Sequence, residues 1–197
     1  MTQPEGRTKI GGDLTHLDEQ GRARMVDVTA KPLTRRVAVA RCAVVTTVDA
    51  LAAFAAPSDG ADPVEAARVA GMQGAKQTSS LIPLCHPIRI DGVSVDMHVC
   101  EDRIEITAVT EIVERTGVEM EALTACAVAG LTLVCSLLEL DPEASVQDLT
   151  LWHKSGGRSG EWQRSEPGAP RNKETATPTL AGPPESRSAP ARDHLPI

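Results

Sequence analysis

Alternating apolar and polar side chains predict two adjacent β-strands in the middle of the chain. Apolar residues occupy every second position from 93 to 99 and from 104 to 108, and Glu101-Asp102 separates the two runs. A period of two residues is typical of strands that are buried on one face. The pattern therefore predicts an antiparallel hairpin. Similar β-branched runs at residues 35–45 and 146–153 predict one strand before it and one after it in the chain.

A proline-initiated helix is predicted before the hairpin. Asp62 suits the N-cap, Pro63 the first helical position and Glu65 the first turn, so the helix is expected to run from there to about residue 78. Small side chains recur along it every four residues, which permits close approach of a neighbouring backbone. They form the rows Ala66, Ala70, Gly74 and Ala67, Gly71, Ala75. Residues 81–87, which contain two prolines, are expected to form a stiff loop.

A longer helix is predicted after the hairpin. Thr116 and Glu119 have the spacing of a capping box, and the apolar run behind them extends for about 23 residues, to just before Asp141-Pro142. Its uncharged part, residues 122–138, is bounded by glutamates, so a helix in a soluble core is favoured over a membrane span. Because the helix is apolar nearly all round, we expect it to be covered on more than one side, as at a subunit interface.

The order of these elements indicates an α+β fold in which helices pack on one face of an antiparallel sheet. One folded domain is expected over residues 14–164. Residues 1–13 lack apolar periodicity, and residues 165–197 contain seven of the fourteen prolines. Both ends are therefore predicted to be flexible, the second one as a disordered, proline-rich tail.

The composition narrows the class of protein. A net charge of −7 excludes a non-specific nucleic-acid binder, and one Phe, two Trp and no Tyr are too few for base-stacking platforms. The N-terminus has no apolar secretory segment, and the five cysteines have neither metal-ligand nor disulfide spacing. We therefore expect a reduced, cytoplasmic protein without a metal or another cofactor.

A first candidate site is the loop of residues 84–87, Leu-Cys-His-Pro, which follows Lys76 at the end of the first predicted helix. His86 would bind or protonate a polar substrate, and Lys76 would meet an anion. The alternative is a structural role, as a capped helix end and a proline-bracketed turn. Cys85 and His86 are not predicted to form a nucleophile–base pair, because neighbouring residues in an extended loop point apart.

Two carboxylates and a glycine-rich loop are further candidates. Glu119 and Glu121 are separated by about 200° around a helix, so they are not expected to share one face. Glu121 lies beside an apolar surface and favours a cationic or hydrogen-bond-donating ligand group. Backbone N–H groups of the Gly/Ser loop at residues 154–160, together with Lys154 and Arg158, suit an anion, and the alternative is a solvated junction.

Taken together, these segments resemble the MoaC family, the cyclic pyranopterin monophosphate synthases of molybdenum-cofactor biosynthesis. The strings LIPLCHP at residues 81–87 and TGVEMEALTA at residues 116–125 are highly specific for that family. Further matches lie at residues 14–16, 25–28 with Lys31, 68–78 and 154–160. The matches occur in the same order as in the family and cover essentially the whole predicted domain.

The resemblance implies a ferredoxin-like fold assembled as a homohexamer, a trimer of dimers, with sites at subunit interfaces. It implies a GTP-derived substrate, 3′,8-cyclo-dihydro-GTP, which is rearranged to cyclic pyranopterin monophosphate with release of pyrophosphate. The implied substrate-binding residues are Leu84, Cys85, His86, Met120, Glu121 and Lys76, with Lys154 and Arg158 at phosphate. The implied catalytic residues that this chain retains are His86, Glu119 and Glu121.

The chain departs from the family pattern at three charged positions. The family has Tyr-Asp-Met-x-Lys in the long helix, whereas this chain has Cys135 at the aspartate position and Leu138 at the lysine position. Gly60 stands where the family has a further lysine. A thiol can exchange a proton, but neither a leucine nor a glycine replaces an ammonium group.

Three hypotheses follow from this mixture of matches and departures. The first is an enzyme of the same reaction, slowed or rewired, that uses Cys135 with His86, Glu119 and Glu121. The second is a non-catalytic paralogue that binds the nucleotide or co-assembles with an active MoaC subunit. The third is related chemistry on another GTP-derived compound in a specialised pathway.

Overall fold

A computed structural model of the chain describes residues 16–18, 20–54 and 62–165. Five strands form one antiparallel sheet in the order β2-β3-β1-β4-β5. The elements in chain order are β1 (Thr34–Val45), α1 (Val48–Phe54), α2 (Pro63–Lys76), α3 (Thr78–Leu81), β2 (Gly92–Val99), β3 (Arg103–Glu114), α4 (Glu119–Leu137), β4 (Ser145–Ser155) and β5 (Trp162–Gln163).

The core lies between this sheet and the helix α4, which packs across β1, β3 and β4. The inward side chains of β1 are small, with Ala38 and Ala40 fully buried, so the helix comes close to the sheet. Ile104, Ile106 and Ile112 of β3 fill the space beside them. Helix α2 packs against α4 and the edge strand β2. The expected α+β, ferredoxin-like sheet with helices on one face is confirmed.

The start of α2 follows the sequence prediction. Oδ1 of Asp62 accepts hydrogen bonds from the backbone N of Val64 (2.8 Å) and Glu65 (3.4 Å), and Pro63 begins the helix. The helix ends at Lys76 rather than near residue 78, because Thr78 opens the short helix α3 and its hydroxyl donates to the Ala75 carbonyl (2.9 Å).

The two rows of small residues on α2 differ in their surroundings. Ala67, Gly71 and Ala75 are buried as a row, whereas Ala66 is exposed and only Gly74 of the other row is buried. A Cβ at Gly71 would lie 2.9 Å from the Ala125 carbonyl oxygen on α4. The predicted close approach therefore exists, but along one row and a single residue of the other.

The predicted capping box at the start of α4 is wrong. Val118, not Thr116, is the N-cap residue, and it supplies no side-chain hydrogen bond. The Glu119 carboxylate instead accepts a hydrogen bond from Nζ of Lys154 on β4, 3.2 Å away, so a tertiary contact takes the place of the local one. The helix is also shorter than expected: it has 19 residues and ends at Leu137.

Three short elements were not anticipated: α1, α3, and the two-residue strand β5, which pairs with His153 and Lys154. The predicted hairpin is confirmed, with its turn at Glu101-Asp102 closed by a hydrogen bond from the Cys100 N to the Arg103 carbonyl (2.8 Å). Among the described residues, α4 is long and apolar enough to cross a bilayer, yet half of its apolar window is buried inside the protein, as in a core helix. The predicted flexible segment 1–13 and nearly all of the predicted tail lie outside the described residues.

Candidate functional site

A pocket of about 160 Å³ lies at the N-terminal end of α4. Three separate segments form it: the start of the described chain, the loop between α3 and β2, and the turn from β3 into α4. The lining residues are His16, Leu84, Cys85, His86, Ile88, Thr116, Gly117, Glu119, Met120 and Glu121. The two strings that carry the family resemblance thus meet in space, although they are more than twenty residues apart in the sequence.

The loop wall of the pocket depends on the backbone of Leu84. This residue has φ of 67°, in the left-handed region that costs a branched side chain on the order of 1–3 kcal/mol. The chain turns there, and the Cys85 N bonds the Ile82 carbonyl at 3.3 Å. The loop is therefore not extended, and Cys85 and His86 line the same pocket rather than separate surfaces.

Cys85 is held as a thiol. Burial raises its pKa, and the negative charge of Glu121 raises it further. Because the thiolate is the reactive form of cysteine, this environment suits a residue that contacts a ligand rather than a nucleophile. The extended-loop argument against a nucleophile–base pair of Cys85 and His86 is therefore wrong, and the raised pKa of Cys85 is a separate argument against such a pair.

His86 is oriented by the N-terminal segment. Its Nε2 lies 2.8 Å from the Val26 carbonyl oxygen. Since a carbonyl oxygen only accepts, Nε2 carries the hydrogen and Nδ1 is left to exchange a proton or bind a ligand. The segment around Val26 is irregular rather than a strand, so its part in the site is to fix this imidazole.

Glu121 is the most perturbed acid of the site. Its side chain is buried, with 4% of its surface exposed. Burial raises the pKa of Glu121 to about 7, its backbone N–H lowers it, and the charge of Glu119 raises it again. A carboxyl group with a pKa near neutrality holds or releases a proton at working pH, as a general acid or base must.

Glu119 and Glu121 line the same pocket, contrary to the expectation from helix rotation. The rotation argument applies to the sides of a helix, whereas this pocket lies across its end, where the first turn presents residues from several directions. Gly117 makes room for them, because a Cβ there would collide with the Glu119 carboxylate. Lys154 holds that carboxylate from the sheet side.

The other sequence candidates lie outside this pocket. Lys76 is exposed at the end of α2, and Arg158 is exposed in the turn after β4. Cys135 and Leu138 are exposed near the far end of α4, and Cys135 is about 24 Å along the helix from Glu119 at 1.5 Å per residue. Gly60 lies outside the described residues. One chain therefore gathers the loop, the methionine and the two glutamates, but not Lys76, Arg158 or Cys135.

His16 is a member of the site that was not predicted from the sequence. It lines the pocket, and its carbonyl accepts a hydrogen bond from the Arg24 N (2.8 Å) in a small N-terminal hairpin. The available signal was that His16 lies in the segment of residues 14–16, which matches the family. In the part of the chain that the structure describes, no three His, Cys, Asp or Glu side chains converge as a metal site.

Comparison with known proteins identifies the family of the chain. A model of the MoaC family matches residues 25–157. A cyclic pyranopterin monophosphate synthase of Streptomyces coelicolor is 47% identical over 155 residues, spanning 77% of this chain and 90% of that protein. In Mycobacterium tuberculosis (strain CDC 1551 / Oshkosh), a synthase numbered 1 is 50% identical, with 77% and 91% of the two chains covered. One numbered 2 is 47% identical, with 78% and 92% covered. The chain therefore belongs to the MoaC family.

Proposed function

We propose that this chain performs the reaction for which its relatives are named, as a lyase of molybdenum-cofactor biosynthesis. It converts 3′,8-cyclo-dihydro-GTP to cyclic pyranopterin monophosphate and releases pyrophosphate. The observation that carries the proposal is the pocket, where the Leu84–Cys85–His86 loop faces Glu119 and Glu121, the latter with a pKa of about 7. A rearrangement that moves several protons requires groups that can donate and accept protons, here His86 and the two glutamates, next to uncharged side chains that hold the substrate in place.

The residues divide into three roles in this proposal. His86, Glu119 and Glu121 exchange protons with the substrate. Leu84, Cys85 and Met120 contact its ring system. Lys76, Lys154 and Arg158 contact its phosphates, and the glycine-rich loop adds backbone N–H groups because Gly156 and Gly157 have positive φ.

The site is completed by a second subunit. The pocket of one chain measures about 160 Å³, whereas sites for small molecules commonly enclose ~300–1,000 Å³. The far end of α4 exposes Leu131, Cys135 and Leu138 as a stripe, with Leu131 62% and Leu138 47% exposed. A homohexamer built as a trimer of dimers covers this stripe and brings Cys135 to the pocket of a neighbour. We place this assembly in the cytoplasm, with a folded domain over residues 14–164 between flexible ends.

A non-catalytic paralogue is the second candidate function. It is favoured by one observation: Cys135 and Leu138 replace an aspartate and a lysine of the family on an exposed face of α4, with Gly60 in place of a further lysine. Such a chain binds the nucleotide or joins an active MoaC subunit. Related chemistry on another GTP-derived compound is the third candidate, and the same replacements motivate it.

Incubation of the purified chain with 3′,8-cyclo-dihydro-GTP separates these functions. Formation of pyranopterin and pyrophosphate supports the synthase, whereas binding without turnover supports the paralogue. Consumption to a different product supports the third candidate. The variant with Gly60→Lys, Cys135→Asp and Leu138→Lys gains turnover if those three groups alone are missing, and it stays inactive if the pocket has diverged elsewhere.

A further inference from the structure

Arg36 of β1 contacts both the turn that leads into α4 and the glycine-rich loop after β4. Its side chain is half-buried on the helix side of the sheet. Nε donates to the Glu114 carbonyl (3.0 Å), and Nη2 donates to the Arg115 carbonyl (2.9 Å). Glu114 is the last residue of β3, and Arg115 follows it and directly precedes Thr116 and Gly117, which line the pocket.

The opposite side of the same guanidinium faces the glycine-rich loop. Gly157 has φ of +71°, and a Cβ there would collide with the Arg36 guanidinium. A Cβ at Gly156 would likewise collide with the Arg35 carbonyl oxygen. The glycine-rich loop that follows β4 therefore packs against Arg36, and Lys154, next to the last residue of β4, reaches Glu119.

Arg36 is also connected to the segment that orients His86. The Arg115 carbonyl accepts from Arg36, while Nε of Arg115 donates to the Lys31 carbonyl (3.1 Å). Lys31 ends the irregular segment whose Val26 carbonyl holds His86. Arg36 thus bonds the turn that leads into the pocket, packs against the glycine-rich loop and is linked through Arg115 to the segment that orients His86.

We propose that Arg36 is a positioning residue: it sets the separation between the end of β4, which carries Lys154, and the glutamates of α4. It acts through the backbone carbonyls that precede α4 and through its contact with the loop that follows β4. The proposal rests on the proposed function for its kinetic consequence. A lysine cannot replace Arg36, because two successive carbonyls require the planar, two-pronged donor of a guanidinium.

Arg36→Lys is the decisive variant, and Arg35→Lys is its matched control. Arg35 is the preceding residue on the same strand, and its guanidinium instead pairs with Glu111 at the surface (2.8 Å from Nη2 to Oε2). We expect Arg36→Lys to lower kcat about 10²-fold with KM nearly unchanged, and Arg35→Lys to behave as the wild type. Two results would overturn the proposal. A fall confined to affinity for the triphosphate substrate would mean that Arg36 binds the phosphates directly, and an unchanged kcat would mean that its guanidinium is not needed.

Hydrogen exchange tests the same residue without using activity. The Ala122 amide, which bonds the Val118 carbonyl in the first turn of α4 (3.2 Å), should exchange at least about tenfold faster in Arg36→Lys than in Arg35→Lys. Equal exchange in the two variants contradicts the proposal. If the wild type does not turn over the substrate, the proposed function fails while this measurement still decides the role of Arg36.

A second pair of variants covers the case in which Arg36→Lys does not fold. Gly157→Ala displaces the guanidinium, whereas Gly160→Ala introduces a Cβ at a similar positive φ of +66° with nothing within 4 Å. Both share the backbone strain, so only the contact with Arg36 distinguishes them. We expect faster exchange at Ala122 in Gly157→Ala alone; the same change in both variants contradicts the proposal.

Discussion

The buried carboxyl of Glu121 links stability to pH at the scale of a single residue. Its pKa is about 7 in the folded chain, against an ordinary value of 4.5. The folded state therefore binds a proton more tightly than the unfolded state, and stability falls as pH rises from about 4.5 to 7. Glu121→Gln removes this loss, so above pH 7 the variant should gain free energy of unfolding on the order of 2 kcal/mol relative to the wild type.

Urea unfolding at about pH 5 and about pH 8 measures this difference. The gain should be present at the higher pH and small at the lower one. Glu139→Gln is the control, because Glu139 is an exposed glutamate just beyond the same helix, and no gain is expected there. An equal gain for both variants, or a gain independent of pH, would mean that Glu121 is not protonated in the folded chain near neutral pH.

The absence of a Cβ at Gly117 affects only the position of the neighbouring Glu119 carboxylate. A Cβ at this position meets the far end of the flexible Glu119 side chain, so the carboxylate can move aside at little cost to stability. It then leaves Lys154, and Gly117→Ala should lower kcat/KM by about 10²-fold with the melting temperature nearly unchanged. Gly92→Ala, where the nearest atom is 3.8 Å away, should be silent in both measurements. Unchanged kcat/KM in Gly117→Ala would show that the position of Glu119 does not matter for turnover.

At the scale of elements, the contact between α2 and α4 is set by single methyl groups. A Cβ at Gly74 would lie 2.7 Å from Cγ2 of Val128, so Gly74→Ala should cost about 1–3 kcal/mol of unfolding free energy. Val128→Ala removes that Cγ2 but keeps the Val128 Cβ, which lies 2.8 Å from the added Cβ, so it should restore only part of the loss. A double-mutant cycle measured by urea unfolding should therefore give a favourable coupling of about 1 kcal/mol.

Gly71 provides the control for this cycle. A Cβ there meets the Ala125 carbonyl oxygen and Cβ of Ala129 instead of Val128. Val128→Ala should then give no rescue of Gly71→Ala. If both glycine variants are rescued equally, the effect of Val128→Ala is a general loosening of the helix pair and not the relief of one collision.

Elements with local signals were predictable from the sequence. The cap at Asp62 and the hairpin turn at residues 101–102 depend on neighbouring residues, and both were found as expected. The start of α4 was not predicted correctly, because the Glu119 carboxylate accepts a hydrogen bond from Lys154, 35 residues away in the chain, instead of a local one. Short elements such as α1 carry too few residues for a periodic pattern to show.

The sequence predicted several of the residues that belong to the candidate site, but it did not predict how they are arranged in space. Leu84, His86 and Glu121 were identified from specific strings, but their meeting depends on the positive φ of Leu84 and on a pocket across a helix end. Neither feature has a periodic signature. Arg36 carries no signal at all in the sequence, since an arginine on a strand reads as a surface charge until the carbonyls it bonds are known.

At the scale of the whole molecule, α4 separates two groups of candidate functional residues. Its first turn holds Glu119 and Glu121 in the pocket, and its far end exposes Cys135, about 24 Å away at 1.5 Å per residue. If both groups serve one reaction, the two ends of the helix must come from different subunits. Two variants that are each inactive should then restore activity when mixed in one assembly.

Glu121→Gln damages the pocket wall, and Cys135→Arg damages the far end of α4, so this pair of variants tests whether a site is shared between subunits. Both are made in the background that turns over substrate, which is either the wild type or the triple variant at Gly60, Cys135 and Leu138. In the triple-variant background, residue 135 is changed to arginine in place of the aspartate. When equal amounts of the two variants are mixed at random, about a quarter of the sites should have both the pocket wall and the far end of α4 intact. Glu121→Gln mixed with Glu119→Gln is the control: both changes lie in the same wall, so no intact site can form. Activity near a quarter in the first mixture and none in the control requires a shared site, whereas no recovery in either places all catalytic groups within one chain.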